Sequence, residues 1–300
     1  MTKKMTKIKG DLYISKTGSK TWDKTMDLSE LEEVMGNLHI SEDISLPNLN
    51  RVGGMLGILG NADLPKLEAV EGRVLIQIRN LALPSLKSIG GTLNCSLSGP
   101  LPAAKYNFDK LEYVGGHLYY EGENPLPALK KVGDGFWLHT YGPPHFPFSL
   151  YYDNCEAPAP KLEEIGGELH YKTNGEYTFP SLRRVGKIRC KGSEGASFPL
   201  LENADFIKLE DTKADFPALK SVNKLFSADN CQIKIPALEN AGEVCLMQGD
   251  YDCPALRNIE GPFRFIKSKP RAPKLHSVSW IDGKTVDCVN IPGDITRTYR

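Results

Sequence analysis

The stretch Leu46–Ile58, LPNLNRVGGMLGI, decides the fold of this chain, because the chain repeats its pattern many times. The pattern returns as LPSLKSIGGTLNC from Leu83, APKLEEIGGELHY from Ala159 and CPALRNIEGPFRF from Cys253. The shared phrase is Pro-x-Leu-x-x-Val/Ile-Gly-Gly-x-Leu-x-Ile. A phrase repeated at a fixed period is typical of proteins built from stacked structural repeats.

The leucine that follows the proline marks each copy of the phrase. Most of these anchor leucines lie 18–20 residues apart, and two steps are longer, at 25 and 33 residues. The thirteen anchors are Leu31, Leu49, Leu67, Leu86, Leu111, Leu129, Leu162, Leu182, Leu201, Leu219, Leu238, Leu256 and Leu275. Each of the two long steps contains an insertion.

Each part of the phrase suits a particular place in a short coil. The alternation in Leu-x-Ile puts two apolar side chains on one side of a strand. The glycine pair suits a corner, since glycine tolerates positive φ and leaves room for neighbouring backbone. Proline cannot donate to a strand ladder and so belongs at a corner or an edge. Eighteen residues containing proline and paired glycines leave no room for two helices.

The sequence therefore predicts an all-β fold, a single elongated parallel β-solenoid of about thirteen coils of 18–19 residues, with little or no helix. One copy cannot bury its apolar residues alone, whereas stacked copies bury them in a continuous column. We expect the solenoid to occupy residues 1–284, with a starting strand at 8–15 and insertions at 96–109 and 139–159. Residues 285–300 break the repeat and are expected to form a C-terminal cap or tail.

The repeated phrase resembles the leucine-rich-repeat superfamily. It is most similar to the variant found in receptor L domains and in bacterial and phage proteins with L-x-x-V-G-G-x-L-x-I runs. The period is shorter than the usual 20–29 residues, and the asparagine that closes the standard repeat is missing at a fixed place. The resemblance implies that a partner is bound through the sheet face or projecting loops, without implying which partner.

Composition limits the classes of partner and the cellular location. Lys and Arg together number 37, as do Asp and Glu, so no net field favours nucleic acid or an anionic membrane. The N-terminal lysines are not followed by the apolar run of a signal peptide. No stretch approaches the roughly 18 apolar residues that a membrane span needs. We expect a soluble cytoplasmic protein with no nucleic-acid or membrane partner.

One residue of each strand is predicted to face outward, between the two inward apolar side chains. In the middle of the solenoid these outward residues are Tyr119, Trp137, His170, Arg189, Lys208 and Phe226. Aromatic residues beside Arg and Lys are typical of binding hot spots. Since aromatics also suit strands in general, the same pattern would fit a plain strand surface.

The insertion at 139–159 is rich in aromatic residues. We count His139, Tyr141, Tyr151 and Tyr152 among the candidate binding residues. Insertions in repeat proteins form loops on one face, often the binding face. A loop packed on the solenoid as a brace is the alternative interpretation.

The sequence predicts no enzyme, no catalytic residue, no cofactor and no metal site. Catalysis on such a scaffold needs clustered carboxylates or a positioned base beside an Arg. The outward carboxylates Glu168 and Glu243 lie four coils apart, about 19 Å at 4.8 Å per coil.

The leading hypothesis is a cytoplasmic solenoid that binds a partner protein through the aromatic and basic face and the aromatic loop. The alternative is a protein that binds or sequesters a small anionic ligand such as a nucleotide, stacking it on Tyr119 and Trp137. A structural component of a phage particle or surface assembly is the second alternative.

Overall fold

A computed structural model describes residues 5–15, 26–95, 104–120, 124–139, 158–172 and 176–282. The chain divides into two compact units, residues 1–160 and residues 161–300. Within the described residues all regular structure is β-strand, and the strands pair in parallel. The predicted fold class, an all-β parallel β-solenoid without helices, is confirmed. None of the described segments forms a helix long and apolar enough to cross a membrane.

In the first unit, each turn of the chain contributes two short strands to one sheet, one on each side of the glycine pair. The strands before the pair are Lys7–Ile8, Glu33–Val34, Arg51–Val52, Ala69–Val70, Ser88–Ile89, Tyr113–Val114 and Lys131–Val132. The strands after it are Leu12–Ile14, Leu38–Ile40, Leu56–Ile58, Val74–Ile76, Leu93–Cys95, Leu118–Tyr120 and Phe136–His139.

A second row of strands lies further along the turns of the first unit. Ile44–Ser45 pairs with Ala62–Asp63, and Asn80–Ala82 pairs with Lys105–Asn107. The strand Lys105–Asn107 belongs to the predicted insertion at 96–109. That insertion therefore returns to the regular pattern before the next anchor leucine.

The proline of the phrase forms the turn that leads into each anchor leucine. The amide nitrogen of Leu49 donates to the carbonyl oxygen of Leu46 at 3.2 Å, which places Pro47 second in a four-residue turn. The fixed φ of proline is favourable at that position. Leu86 donates to Leu83 in the same way at 3.1 Å. The expectation that proline occupies a corner is confirmed.

The glycine pair permits close approach of neighbouring turns and does not supply unusual dihedral angles. Among the described glycines only Gly192 has a positive φ, of 74°. The second glycines form a hydrogen-bond ladder, in which Gly54 donates to Gly36 at 2.9 Å, Gly72 to Gly54 at 3.1 Å and Gly91 to Gly72 at 3.0 Å. The expected room for neighbouring backbone is therefore confirmed, whereas the expected positive φ is wrong.

In the second unit, one continuous strand replaces the two short ones. The backbone continues through the corner both where the glycine pair is kept, at Gly166 and Gly167, and where glycines have been lost, and β-bulges occur in several of the pairings. The long strands are Glu164–Lys172, Arg184–Lys191, Asn203–Glu210, Ser221–Asp229, Asn240–Asp252, Asn258–Arg271 and Ser277–Asp282. A second sheet contains Glu176–Thr178, Gly195–Ser197, Lys213–Asp215 and Gln232–Lys234.

The corners of the second unit contain a residue in the left-handed region once per turn. These residues are Gly192 at φ 74°, Asp211 at 49°, Asn230 at 51°, Gln248 at 52° and Lys267 at 50°. They lie 18 or 19 residues apart, so the same corner is repeated in five consecutive turns. Glycine, Asn and Asp adopt this region most readily, whereas Gln248 and Lys267 take it at some conformational cost.

The core consists of columns of equivalent side chains. All thirteen anchor leucines are buried, with at most 1% of each side chain exposed. A second column in the second unit contains Phe179, Phe198 and Phe216, whose ring centroids lie 5.5 Å and 4.8 Å apart with planes 6° from parallel. The predicted burial of equivalent apolar residues in continuous columns is confirmed.

The solenoid has about 11 turns of about 19 residues, slightly fewer than the thirteen predicted from the anchors. Thirteen anchors delimit only twelve steps, and the step from Leu129 to Leu162 passes through residues 140–157, outside the described residues. Most of the insertion at 139–159 and all of the predicted cap at 285–300 also lie outside the described residues.

The residue after the anchor leucine alternates in charge between neighbouring turns. Ion pairs connect these residues from one turn to the next: Lys87–Glu68 at 3.0 Å, Lys130–Glu112 at 2.8 Å and Lys220–Glu202 at 3.0 Å. All six side chains are exposed, so each pair adds little stability. Like charges at directly opposed positions are destabilising. The alternation therefore disfavours any pairing of turns that would bring two lysines or two glutamates together.

The substitution Gly72→Ala should lower the free energy of unfolding by about 1–3 kcal/mol. A Cβ at Gly72 would lie 2.6 Å from the carbonyl oxygen of Gly54, so the backbone of one turn must move. Urea denaturation followed by circular dichroism measures the effect. Gly10→Ala is the matched control, since no atom lies within 4 Å of its Cβ position, and its change should stay within about 0.5 kcal/mol. Equal losses in the two variants would contradict this account of the glycine pair.

Candidate binding surface

Two of the predicted binding residues meet on the outward face of the first unit. Tyr119 and Trp137 are register partners on the neighbouring strands Leu118–Tyr120 and Phe136–His139. Their ring centroids lie 4.9 Å apart, and the ring planes are 15° from parallel. Both side chains are half-buried. The two rings therefore form a stacked pair that stands on the sheet.

His117 joins this pair, although the sequence analysis did not include it among the binding residues. Its ring centroid lies 4.9 Å from that of Trp137 in an edge-on arrangement and 5.9 Å from that of Tyr119. The signal was present, because His117 precedes Tyr119 by two residues and strand alternation puts both on one side. We refer to His117, Tyr119 and Trp137 as the aromatic cluster.

The imidazole of His117 is fixed by a hydrogen bond to the next turn. The amide nitrogen of Gly135 donates to Nδ1 of His117 at 3.2 Å. Nδ1 is therefore an acceptor, and the neutral ring has its proton on Nε2. Trp137 and Tyr119 border the same ring, so the cluster is held in one arrangement before any partner arrives.

The position of His117 follows a pattern that recurs at several turns of the first unit. At the residue before the second strand, a polar side chain accepts a hydrogen bond from the equivalent amide of the next turn. Oδ1 of Asp11 accepts from the amide of Asn37 at 2.7 Å, and Oδ1 of Asn37 accepts from that of Met55 at 2.7 Å. The amide hydrogen bond from Asn37 holds the pKa of Asp11 below its ordinary value. His117 fills this structural position with an aromatic ring.

In the second unit, three predicted residues occupy neighbouring strands in register. His170 pairs with Arg189, and Arg189 pairs with Lys208. The prediction that Phe226 also faces outward is wrong, because Phe226 is fully buried and Ser227 pairs with Lys208. A bulge adds one residue to this strand after Val222, which moves Phe226 to the inward side.

Ion pairs fix the basic residues of this face. Nε of Arg189 lies 3.1 Å from Oε1 of Glu168, and the guanidinium carbon lies 5.6 Å from the ring centroid of Phe206. Nζ of Lys208 lies 2.7 Å from Glu210. A cation over an aromatic ring is attracted to its face, so Arg189 is oriented by two contacts.

Glu210 also pairs with Lys191, whose Nζ lies 2.9 Å from its carboxylate. Hydrogen bonds from Lys208 and then Lys191 lower the pKa of Glu210 to about 2. The hydrogen bond to Glu210 raises the pKa of Lys191 above its ordinary value. This carboxylate therefore stays ionised at any physiological pH and cannot act as a general acid.

The remaining candidate residues belong to the insertion. Tyr141, Tyr151 and Tyr152 lie outside the described residues, and His139 is the last residue of the strand Phe136–His139. Whether these residues take part in binding stays a prediction.

Two open grooves lie away from the predicted face. One, of about 740 Å³, runs along the second row of strands in the first unit and is lined by residues such as Asp43, Asp63 and Asn107. The other, of about 600 Å³, is lined by Glu164, Arg184 and their neighbours in the second unit. No group of three or more His, Cys, Asp or Glu side chains suited to a metal ion occurs within the described ranges.

Comparisons with known proteins do not identify a relative of this chain. No protein-family model, no curated protein and no solved structure matches it.

The Glu210 carboxyl should titrate with a pKa of about 2 in the folded protein. Since this value lies below the ordinary 4.5, the pairing stabilises the fold fully above pH 4.5, and this contribution is lost as the pH falls through about 2. Carbon-detected NMR titration measures the pKa directly. Lys208→Met should raise it toward 4.5, whereas Lys220→Met, which removes the partner of Glu202, should leave it unchanged. A midpoint near 4.5 in the unmodified protein would contradict the pairing.

Proposed function

We propose that this chain is a non-enzymatic, cytoplasmic, leucine-rich-repeat-like solenoid that binds a partner protein. The proposal rests above all on the aromatic cluster of the first unit, with the face of His170, Arg189 and Lys208 in the second unit as a further contact surface. Tyr, Trp and Arg are the residues most enriched at binding hot spots.

The cluster meets the physical requirements of a hot spot. Stacked rings offer a large contact area and have few torsion angles to restrict on binding. The contacts among His117, Tyr119 and Trp137 already restrict those torsions in the free protein. A partner that covers the cluster therefore gains apolar burial at a low entropic cost.

The carboxylates of the outward faces do not form a catalytic arrangement. Glu168 is paired with Arg189, Glu210 with Lys191 and Lys208, and Glu243 with Arg264. A general acid or base must be free to reach its substrate. Each of these three carboxylates already contacts a cation and would have to give that contact up, which supports a binding protein over an enzyme.

The pairing of the basic residues also weighs against the small-ligand alternative. A nucleotide phosphate bound by Arg189 and Lys208 would lie beside Glu168 and Glu210, whose carboxylates repel a multiply charged group more strongly than they repel a single carboxylate. A partner protein can instead use the whole row of side chains. The phage or surface assembly alternative is supported only by the resemblance of the repeated phrase to bacterial and phage proteins.

The double substitution Tyr119→Ala and Trp137→Ala should weaken binding of the partner by at least about 30-fold, because hot-spot residues contribute about 2 kcal/mol or more. Affinity capture from the native lysate with quantitative mass spectrometry identifies the partner. Isothermal titration with that partner then measures the loss.

Tyr113→Ala is the matched control for this experiment. Tyr113 is 40% exposed in the same turn as Tyr119, on the other side of the glycine corner. The control should bind as the unmodified protein does, and both variants should remain folded at the temperature of the binding assay. Unchanged binding by the double variant would reject the aromatic cluster as the contact surface.

A further inference from the structure

A stripe of positive charge lies on one strand of the second unit. Outward positions of the strand Arg184–Lys191 are occupied by Lys187, Arg189 and Lys191, all exposed, while Ile188 and Cys190 between them are buried. Lys208 lies beside Arg189 on the next strand. We refer to Lys187, Arg189, Lys191 and Lys208 as the basic stripe.

The charge of the stripe is only partly neutralised. Lys191 and Lys208 share the single carboxylate of Glu210, and Arg189 is paired with Glu168. Lys187 has no ion-pair partner among the described residues, although Glu168 lies opposite it on the neighbouring strand. Four cations thus face two carboxylates. The next acidic groups are Asp211, which directly follows Glu210, and Asp229, opposite Glu210; both act on Lys191 and bound the stripe on that side.

Arg189 is prepared to bind a second carboxylate. Its closest contact with Glu168 is at Nε, and the guanidinium carries four further N–H donors on its two Nη groups. The ring of Phe206 lies against the guanidinium. Because the Arg189 side chain is already held by these contacts, binding restricts little of its remaining conformational freedom.

The geometry of the stripe matches an extended peptide. Alternate residues of a strand are about 6.6 Å apart, so the backbone positions of Lys187, Arg189 and Lys191 recur at that interval. Carboxylates at every second residue of an extended acidic segment recur at the same interval. Phe206 and its half-buried neighbour Leu225 lie at one end of the stripe, where they offer an apolar contact.

A single-stranded nucleic acid fits this surface less well. Such ligands need aromatic side chains on which successive bases stack. Beside the stripe the described outward aromatic side chains are Phe206, over whose ring Arg189 lies, and the single imidazole of His170, which together do not form a row for successive bases. Glu168 and Glu210 would also repel a continuous run of phosphates more strongly than they repel spaced carboxylates.

We infer that the basic stripe binds an extended acidic segment of the partner protein, with Asp or Glu at alternate residues. This inference rests on the proposed function and specifies the partner chemistry at the second unit. The carboxylates would bind Lys187 and the Nη groups of Arg189, and would share Lys191 and Lys208 with Glu210.

Fluorescence anisotropy with a labelled peptide of about ten residues, alternating Glu and Thr, tests the inference on the full chain. The test variant is Lys187→Glu with Lys191→Glu. The matched control is Lys213→Glu with Lys234→Glu, which makes the same charge change at exposed positions of the second sheet. The test variant should lose at least about tenfold in affinity, the control should lose less than about twofold, and binding to the unmodified chain should weaken with salt.

Equal losses in the two variants would overturn the inference, since they would show attraction to overall charge. Tighter binding of a single-stranded oligonucleotide, lost in the test variant alone, would overturn it in favour of nucleic acid. If the partner captured through the aromatic cluster binds the test variant normally, the inference fails and the proposed function stands. If Tyr119 and Trp137 prove dispensable while the peptide result holds, the aromatic contact surface fails and the inference about the stripe stands.

Discussion

The structure depends on hydrogen bonding between equivalent residues of successive turns. Each turn donates to and accepts from the turns on both sides of it, as when Gly54 donates to Gly36 and Leu38 donates to Met55. At the glycine corner this ladder requires backbone atoms to pass so closely that a side chain would intrude. Every other regularity follows, because a fixed register places leucine on leucine and phenylalanine on phenylalanine. The core is therefore a set of columns, and each turn depends mainly on its neighbours.

The same register also arranges the outward side chains of successive strands in rows. Side chains that are far apart in the sequence therefore become neighbours on the surface. Tyr119 comes to stack on Trp137 because their strands are neighbours, and Arg189 comes to lie beside Lys208 for the same reason. The alternation of charge at the residue after each anchor leucine favours the observed order of the turns. If one turn paired one position out of order, Lys87 would lie beside Lys130 instead of beside Glu68, and the two like charges would repel each other. The register of the strands thus determines which surface side chains are neighbours.

Much of the fold could be predicted from the sequence because periodicity reports directly on stacking. The buried anchors, the proline turns and the inward pairs such as Leu56 and Ile58 all follow from the repeated phrase. Phe226 could not be placed, because the copy that starts at Val222 contains an extra residue and only the pairing reveals where the bulge absorbs it. The orientation of His117 depends on the hydrogen bond that its Nδ1 accepts from Gly135, and the ion pair of Arg189 depends on the side-chain rotamers of Arg189 and Glu168. Such contacts are set by three-dimensional packing and produce no periodic pattern in the sequence.

The proposed partner protein lies over the aromatic cluster. Site-specific photocrosslinking can locate it there, with p-benzoylphenylalanine placed at Asn94, which pairs with Tyr119 at the border of the cluster. Placement at Tyr113, in the same unit but beyond the glycine corner, provides the comparison. We expect a discrete crosslinked protein from position 94 in native lysate and none from position 113. The same yield from both positions, or no crosslink from position 94, would contradict the proposal.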